Sequence, residues 1–319
     1  MNRKNVLIIG TKVATNGLES GGSLRINGIK ELLMSLGLNV HVVSRRNARK
    51  SLSKKWDLIV LVSFATARFL HRARKSSDAI WFDPTDSWRL TRFSLIRGGG
   101  LKHFPLLLRD LFWIWTSPRI DLLTFITKRD SEYEKFWWSK RLRPIIYPIH
   151  DLTRVVHPSS EIRLVFVGDG SYGPNAEAIT FLTKVLQLLP VTIQIHIYGR
   201  GFRNLDARFV YHGYTSNQEM YFENDVHLAP ISSGAGLKLK VALPLSNGLR
   251  VISTPEGANG LKQNPKLLIA PDEKSFAALI LQLQVIRRIN RVSKSRNIYE
   301  VQEQPMVTDW IMRNILSPP

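Results

Sequence analysis

The stretch Ser232–Leu261, reading SSGAGLKLKVALPLSNGLRVISTPEGANGL, decides the fold. Gly234 and Gly236 let the backbone approach an anion with no Cβ in the way, and a helix starting at this turn would aim its unpaired N–H groups at that anion. Lys238 and Lys240 add positive charge. Positions two apart on a helix do not share a face, so only one of the two is expected to point inward. Val251-Ile252-Ser253-Thr254 reads as a short buried strand, and Pro255 to Gly260 as the turn leaving it. Loop, helix, strand and loop make an α/β unit. One reading is a diphosphate cradle and the other is an ordinary crossover with a basic helix.

Upstream blocks extend the pattern. Leu164-Val165-Phe166-Val167-Gly168 is followed by Ser171 and Gly173-Pro174-Asn175-Ala176, then by Ile193 to Gly199 (IQIHIYG) and Val210 to Thr215 (VYHGYT). With Pro230, Ser232-Ser233, Gly234-Ala235-Gly236, Lys240, Gly248, Val251-Ile252, Thr254 and Gly257 to Leu261, these blocks resemble the donor-binding half of GT-B glycosyltransferases, in particular retaining family 4-like enzymes (the glycosyl transferases group 1 type). The resemblance covers roughly residues 164–276. It implies an α/β fold of two Rossmann-like doubly wound domains facing a cleft. It also implies a nucleotide-diphosphate sugar donor bound by Gly168, Asn175, Gly199, Ser232, Ser233, Gly234, Ala235, Gly236, Lys238 and Lys240. One departure stands out. Where many members place a glutamate for the nucleotide ribose this chain has Leu243, and Ser233 stands where others carry an acidic residue. An unusual donor, a substitute ligand such as Glu256, and a degenerate site all remain open.

The chain has 319 residues, about twice a typical domain, and its 44% hydrophobic content suffices for substantial cores. It contains no Cys, which excludes a disulfide framework, a thiolate metal site and a cysteine nucleophile. Only five apolar residues, Val6 to Gly10, follow the basic N-terminus, against the about 7 to 15 of a signal segment, so a first strand and a cytoplasmic location are expected.

Strands and helices alternate along the chain. In the first half they run Asn5–Ile9, a Gly-rich loop at residues 17–23, a helix over Leu24–Leu36, and strands at Asn39–Val43, Leu58–Val62, Ala79–Phe82, Leu122–Thr127 and Ile145–Ile146. In the second half strands are expected at Leu164–Val167, Thr192–Tyr198, Phe209–Tyr211 and Val226–Ala229, with helices over Ala176–Leu188 and Glu273–Arg288 and a helix or turn at residues 216–222. Pro148 and Pro158 mark His150 to Ser160 as a linker. The expected domains are residues 1–155 on the acceptor side, 156–295 for the nucleotide sugar, and a C-terminal segment, 296–319. That last segment places Trp310, Ile311, Asn314 and Ile315 on one helical face, and the resemblance suggests that it packs back on the first domain.

Gly21 and Gly22 resemble the family's first-domain glycine turn, and Arg25 on the following helix would turn a guanidinium towards the departing phosphate. Separating a sugar with oxocarbenium character from a nucleoside diphosphate is the difficult step, so fixed positive charge on the phosphates should dominate. Lys240 leads the catalytic candidates, with Lys238 and Arg25 behind it. Asp83 and Asp86 in WFDPTDSWR follow a strand end, the usual place for sites in open sheets, and are the candidates for a base or an acceptor-positioning group. Asp83 could equally cap the turn before Pro84. Asp130, in TKRDSE, is either an interdomain loop residue or a helix N-cap. The eight His residues form no metal-ligand pair and no DxD is present, so neither a metal nor a cofactor beyond the donor is expected.

Charge is uneven. Through residue 160 there are 28 Lys and Arg against 12 Asp and Glu, or +16, leaving 17 against 13, or +4, for the remainder. A basic acceptor half suits an anionic partner: a membrane surface with a lipid-linked or glycan acceptor, as in surface polysaccharide biosynthesis, or nucleic acid. Leu101 to Trp115 (LKHFPLLLRDLFWIW) is too short and too interrupted to span, because a bilayer needs roughly 20 apolar residues. It is either an interfacial segment of a membrane-peripheral protein or a core helix. Arg45-Arg46, Arg49-Lys50 and Lys54-Lys55 form a second basic cluster. Three functions follow: a glycosyltransferase acting on a glycan or lipid-linked acceptor at the cytosolic membrane face, one acting on nucleic acid, and a degenerate non-catalytic binding partner.

Overall fold

A computed structural model describes residues 3–11, 21–97, 104–138, 144–147, 152, 154–215, 220–285 and 304–316. The chain forms two compact units. One comprises Met1–Asp151, Ala235–Leu237 and Val301–Pro319; the other comprises Leu152–Gly234 and Lys238–Glu300.

The first unit is built on a six-stranded parallel sheet: β1 (Asn5–Gly10), β2 (Asn39–Ser44), β3 (Leu58–Val62), β4 (Ile80–Thr85), β5 (Leu122–Phe125) and β6 (Ile145–Ile146). Their spatial order is β2-β1-β3-β4-β5-β6. Runs such as LIVLV in β3 are apolar at every position because both faces of a parallel sheet are covered, and every residue of β3 is buried. The helices are α1 (Gly21–Ser35), α2 (Ala48–Ser51), α3 (Leu70–Ser76, after a 3₁₀ turn at Phe64–Phe69), α4 (Trp88–Arg97), α5 (Phe104–Trp115) and α6 (Lys128–Trp138).

The glycine loop expected at 17–23 is answered only in part. Residues 17–20 lie outside the described residues, while Gly21 and Gly22 open α1. The terminal helix α10 (Gln304–Ile311) runs into a π turn at Met312–Leu316. Val307, Ile311 and Ile315 pack against Val6, Ile8 and Val60 of the sheet. Asn314, expected on that face, is instead exposed, because the wider π turn shifts the phase of the last residues.

The second unit carries β7 (Leu164–Asp169), β8 (Ile195–Arg200), β9 (Phe209–Gly213), β10 (Val226–Ala229), β11 (Arg250–Ser253) and β12 (Leu267–Ile269). All pair in parallel, in the order β9-β8-β7-β10-β11-β12. This is the doubly wound order 3-2-1-4-5-6, with its switch point between β7 and β10. Helices α7 (Gly173–Gln187), α8 (Leu239–Ser246) and α9 (Glu273–Val285) complete it. Phe166, Leu182, Ile197, Ile252, Phe276 and Ile280 sit in its core. α7 begins three residues before the expected Ala176, because Pro174 fits a first helical turn, where no N–H is required. Residues 216–219 and the end of the helix expected to reach Arg288 lie outside the described residues.

Candidate functional site

In an open α/β sheet the two loops leaving a switch point diverge and form a crevice at the carboxyl ends of the strands. Here these loops follow β7 (Gly170–Tyr172) and β10 (from Pro230). At the end of β8, Gly199 has φ +136°, and a Cβ on it would stand 1.7 Å from the Gly168 carbonyl oxygen. Gly168 in turn lies against Asn175, whose side chain would meet a Cβ there at 2.8 Å. This close approach lets the Asn175 amide donate to the Asp169 carbonyl at 2.8 Å.

The Asn175 carbonyl oxygen accepts a hydrogen bond from the Lys240 ammonium. Lys240 Nζ also lies 4.8 Å from the centre of the Phe166 ring. Burial, and after it repulsion from Lys238, lower the Lys240 pKa from 10.5 to about 8. An ammonium so placed gains from any anion brought beside it, since an anion offsets both costs.

The glycine turn differs from expectation in one respect. Gly234 and Gly236 have φ of +120° and +72°, which a right-handed helix does not admit, so they form an irregular bend and α8 starts only at Leu239. Lys238 is the extended N-cap residue. Its Nζ lies 3.3 Å from where a Cβ on Gly234 would be, whereas Lys240 turns inward to Asn175. The two lysines thus diverge, one over the bend and one beneath it. Ser233, Gly234, Ala235 and Gly236 are all partly accessible, as a ligand-facing bend requires. Leu243, at the position of the family's ribose-binding glutamate, is buried.

Ser232 and Glu256 line one cavity of about 640 Å³ at the ends of β10 and β11, together with Glu177, Phe181, Lys184 and Thr254. Ser232 hydrogen-bonds Glu177 at 2.7 Å. Sequence reasoning missed Glu177. Its signal was its place one turn into α7, two residues after Asn175. Asp169 was also missed: hydrogen bonds from Ser171 and Arg200 hold its carboxyl at about 2, and they tie the loop after β7 to the end of β8.

In the first unit the structure corrects two assignments. Arg25 is 1% exposed and Asp83 0%, and they form an ion pair. Arg25 Nε donates to Asp83 at 3.1 Å, another guanidinium nitrogen donates to the Tyr147 carbonyl, and the guanidinium lies 4.7 Å from the Tyr147 ring centre. Asp83 also accepts from Thr124, which accepts from Trp81 Nε1 at 2.7 Å. Arg25 therefore does not turn its charge towards a ligand, and Asp83 neither caps the turn nor offers a base. A carboxylate buried inside a sheet stays ionised only with a paired cation, and these two groups satisfy one another.

Asp86 has the other environment. It is half-buried at the end of β4 and accepts from Thr85 Oγ1 at 3.2 Å. Thr85 has φ +76°, a strained value for a β-branched residue of the kind stored at functional strand ends. Asp130 is buried, accepting from the Ser87 amide at 2.9 Å and from the Thr127 hydroxyl. Thr127, not Asp130, is the capping side chain of α6, accepting from the Asp130 amide at 3.1 Å. Among the described residues no group of three or more His, Cys, Asp or Glu is placed to hold a metal ion.

Residues 149–284 match the family model described as glycosyl transferases group 1. No curated protein matches the sequence. Among solved structures the chain is similar to TarM, with 12% identity, a TM-score of 0.49, and 71% of this chain and 47% of that one covered. It is similar to the pneumococcal O-GlcNAc transferase in complex with UDP and GlcNAc, with 13% identity, a TM-score of 0.50, and 85% and 56% covered. It is also similar to the DNA modifying enzyme beta-glucosyltransferase, solved with and without uridine diphosphoglucose, with 12% identity, a TM-score of 0.52, and 89% and 90% covered. The chain spans about half the length of the first two. At such identities the likeness is one of fold, and the fold is GT-B.

Proposed function

We propose that this chain is a glycosyltransferase that takes a sugar from a nucleotide-diphosphate donor and passes it to a glycan or lipid-linked acceptor at the cytosolic face of a membrane. The observation that carries the donor half is the Lys240 ammonium, half-buried, bonded to Asn175 and lowered in pKa beside the bend at Gly234 and Gly236. Charge developing on a departing diphosphate would restore the lost solvation of that ammonium, so Lys240 stabilises the transition state more than the ground state. Lys238 supplies a second cation over the bend. Ser232, Glu177 and Glu256 offer hydroxyl and carboxylate groups to a sugar or ribose, Glu256 in place of the absent glutamate at Leu243. Asp86, half-buried at the end of β4, is the carboxylate assigned to position or deprotonate an acceptor hydroxyl. Retention of anomeric configuration is part of this reading and rests on the resemblance.

The charge of +16 through residue 160 supports an anionic acceptor environment. A nucleic acid acceptor is the second reading that this charge favours, and the DNA modifying relative makes it worth testing. Titration calorimetry with UDP, GDP and ADP tests the donor half. Micromolar binding of one of them is expected, and absence of binding to any of them at millimolar concentration overturns it in favour of a non-catalytic protein. Salt-matched binding to duplex DNA and to anionic vesicles separates the acceptors.

A further inference from the structure

Helix α5 combines an exposed apolar stripe with a buried carboxylate. Its buried positions include Leu107 and the carboxylate of Asp110, which is fully buried. Its exposed positions include Phe104 (52%), Leu108 (52%), Phe112 (58%) and Trp115 (77%). Residues spaced 4, 4 and 3 apart fall within one arc of a 3.6-residue helix, so these four side chains make a continuous apolar stripe facing away from the protein. Phe104, Leu108, Phe112 and Trp115 therefore do not enter the core. Among the described residues no helix is long and apolar enough to cross a membrane.

The inward carboxylate explains how the helix is held with its stripe outward. Asp110 pairs with Arg92 of α4 at 3.6 Å and with Arg109 at 2.9 Å. Arg89, one turn earlier on α4, forms a buried ion pair with Glu134 of α6 and lies 4.9 Å from the Trp137 ring centre. Thus α4 is tied to α5 on one side and to α6 on the other by ion pairs, with Phe93 and Tyr133 also in edge contact at 6.4 Å. The neighbouring helices expose apolar side chains too. Phe93 on α4 and Phe136 and Trp137 on α6 are exposed, with the last two in edge contact at 5.3 Å. Residues 88–143 carry 12 Lys and Arg against 5 Asp and Glu, and Asp110 and Glu134 are already committed to buried pairs. Among the described residues, Arg109 and Arg119 are exposed beside the stripe, at 47% and 82%, and Glu132 on α6 is the exposed acidic group, within 3.9 Å of Lys128.

We propose that the stripe Phe104, Leu108, Phe112 and Trp115 is a docking face for an anionic phospholipid bilayer, with α5 lying in the plane of the interface. Apolar side chains enter the boundary between headgroups and acyl chains, while the basic surroundings meet the phosphates. A second copy of the chain is the rival occupant. It is disfavoured by charge, since two chains of +20 repel one another whereas an anionic leaflet attracts each. The inference deepens the acceptor reading above by naming the face that meets the lipid.

The test is co-sedimentation of the full chain with phosphatidylcholine vesicles and with vesicles containing 30 mol% phosphatidylglycerol (about that fraction gives a strongly negative surface). Binding to the anionic vesicles, weakened by salt, is expected. The variant Leu108→Ser/Phe112→Ser/Trp115→Ser should partition at least tenfold less, with an unchanged melting temperature because the replaced side chains are exposed. The single variant Phe112→Ser is the fallback should the triple one fail to fold. No binding by the native chain, or undiminished binding by the variants, overturns the proposal. So does a native dimer in sedimentation velocity that the variants dissolve. Nucleotide calorimetry is read on the same proteins. Loss of vesicle binding with intact nucleotide binding is the expected result for the variants, whereas vesicle binding by a native chain that binds no nucleotide sinks the donor reading and leaves the docking face standing.

Discussion

Lys240, at the start of α8, hydrogen-bonds Asn175, in the first turn of α7, and so joins the two helices that follow the switch-point strands β10 and β7. The ammonium has a neutral acceptor and an aromatic ring as its neighbours, with no carboxylate partner among the described residues. Replacing Lys240 by Ala therefore removes a cation without stranding an anion. The fold should survive, and turnover should fall at least tenfold, about 1.4 kcal/mol or more of transition-state stabilisation. Steady-state kinetics beside a thermal melt checks this, and unchanged turnover refutes the assignment.

The same lysine makes donor binding depend on pH. Its pKa is lowered to about 8, so it loses its proton as pH rises through 8, and a diphosphate that needs the charged form should bind more weakly above that point. From pH 7 to 9.5 the affinity for the nucleoside diphosphate should fall on the order of tenfold, and calorimetry in two buffers near pH 8.5 should show proton uptake on binding. Stability moves the other way. The folded pKa lies below the unfolded one, so the charged ammonium costs stability below pH 8, and this cost fades as pH rises from 8 towards 10.5. Lys240→Arg should hold its affinity across the range, because a guanidinium does not titrate there.

The inner strands of both sheets are legible in the sequence because they are apolar at every position, as LIVLV and LVFV show, whereas β12 (Leu267–Ile269), a short and partly exposed edge strand, was not expected. The glycine bend and its lysines were equally visible, since everything they need lies within seven residues. What escaped depended on distant pairing. Asp83 and Asp86 look alike in WFDPTDSWR, yet Asp83 meets Arg25, 58 positions away, and is lost to the interior, while Asp86 stays accessible. Arg25 looked like a cleft residue for the same reason. Glu177 escaped because its partner Ser232 is 55 positions away. The sequence left α5 open between an interfacial segment and a core helix, because an apolar helix reads the same whether it faces core or lipid.

Asp83→Asn tests whether that carboxylate is structural. Removing one member of a buried pair leaves Arg25 uncompensated, for which ~3–5 kcal/mol is expected. Urea unfolding at pH 7 should show this loss, while kcat per folded molecule stays within a few-fold of native. Asp86→Asn should do the reverse, with little change in stability and a large loss of turnover. Matching profiles for the two variants would abolish the distinction.

Gly199→Ala should be among the most damaging single-methyl changes in the second unit. The added Cβ meets a backbone oxygen 1.7 Å away at a φ of +136°, and neither the strand nor the Gly168 carbonyl has a side-chain rotamer through which to yield. Overpacking and backbone strain together should cost at least ~2 kcal/mol. The shift would carry Gly168 away from Asn175, so nucleotide affinity should fall as well. A Gly199→Ala protein with native stability would mean that β7 and β8 are less closely apposed than 1.7 Å implies.

His227 sets the acid limit of the second unit. It is buried in β10, the strand beside the switch point, and its Nε2 has no hydrogen-bond partner among the described residues. Burial, with a smaller contribution from Arg163, drives its pKa from 6.5 down to about 3, so the folded chain keeps it neutral. The unfolded chain binds a proton near pH 6.5 and the folded one does not, so stability is full above 6.5 and is lost progressively as pH falls from 6.5 towards 3. Nothing is gained from the imidazole as a base at neutral pH, and an apolar side chain of similar size removes the need to protonate it. His227→Leu should therefore move the acid-unfolding midpoint, followed by near-UV circular dichroism, to lower pH by roughly half a unit or more, leaving nucleotide affinity at pH 7 unchanged. An unchanged or higher midpoint would mean that another buried group titrates first.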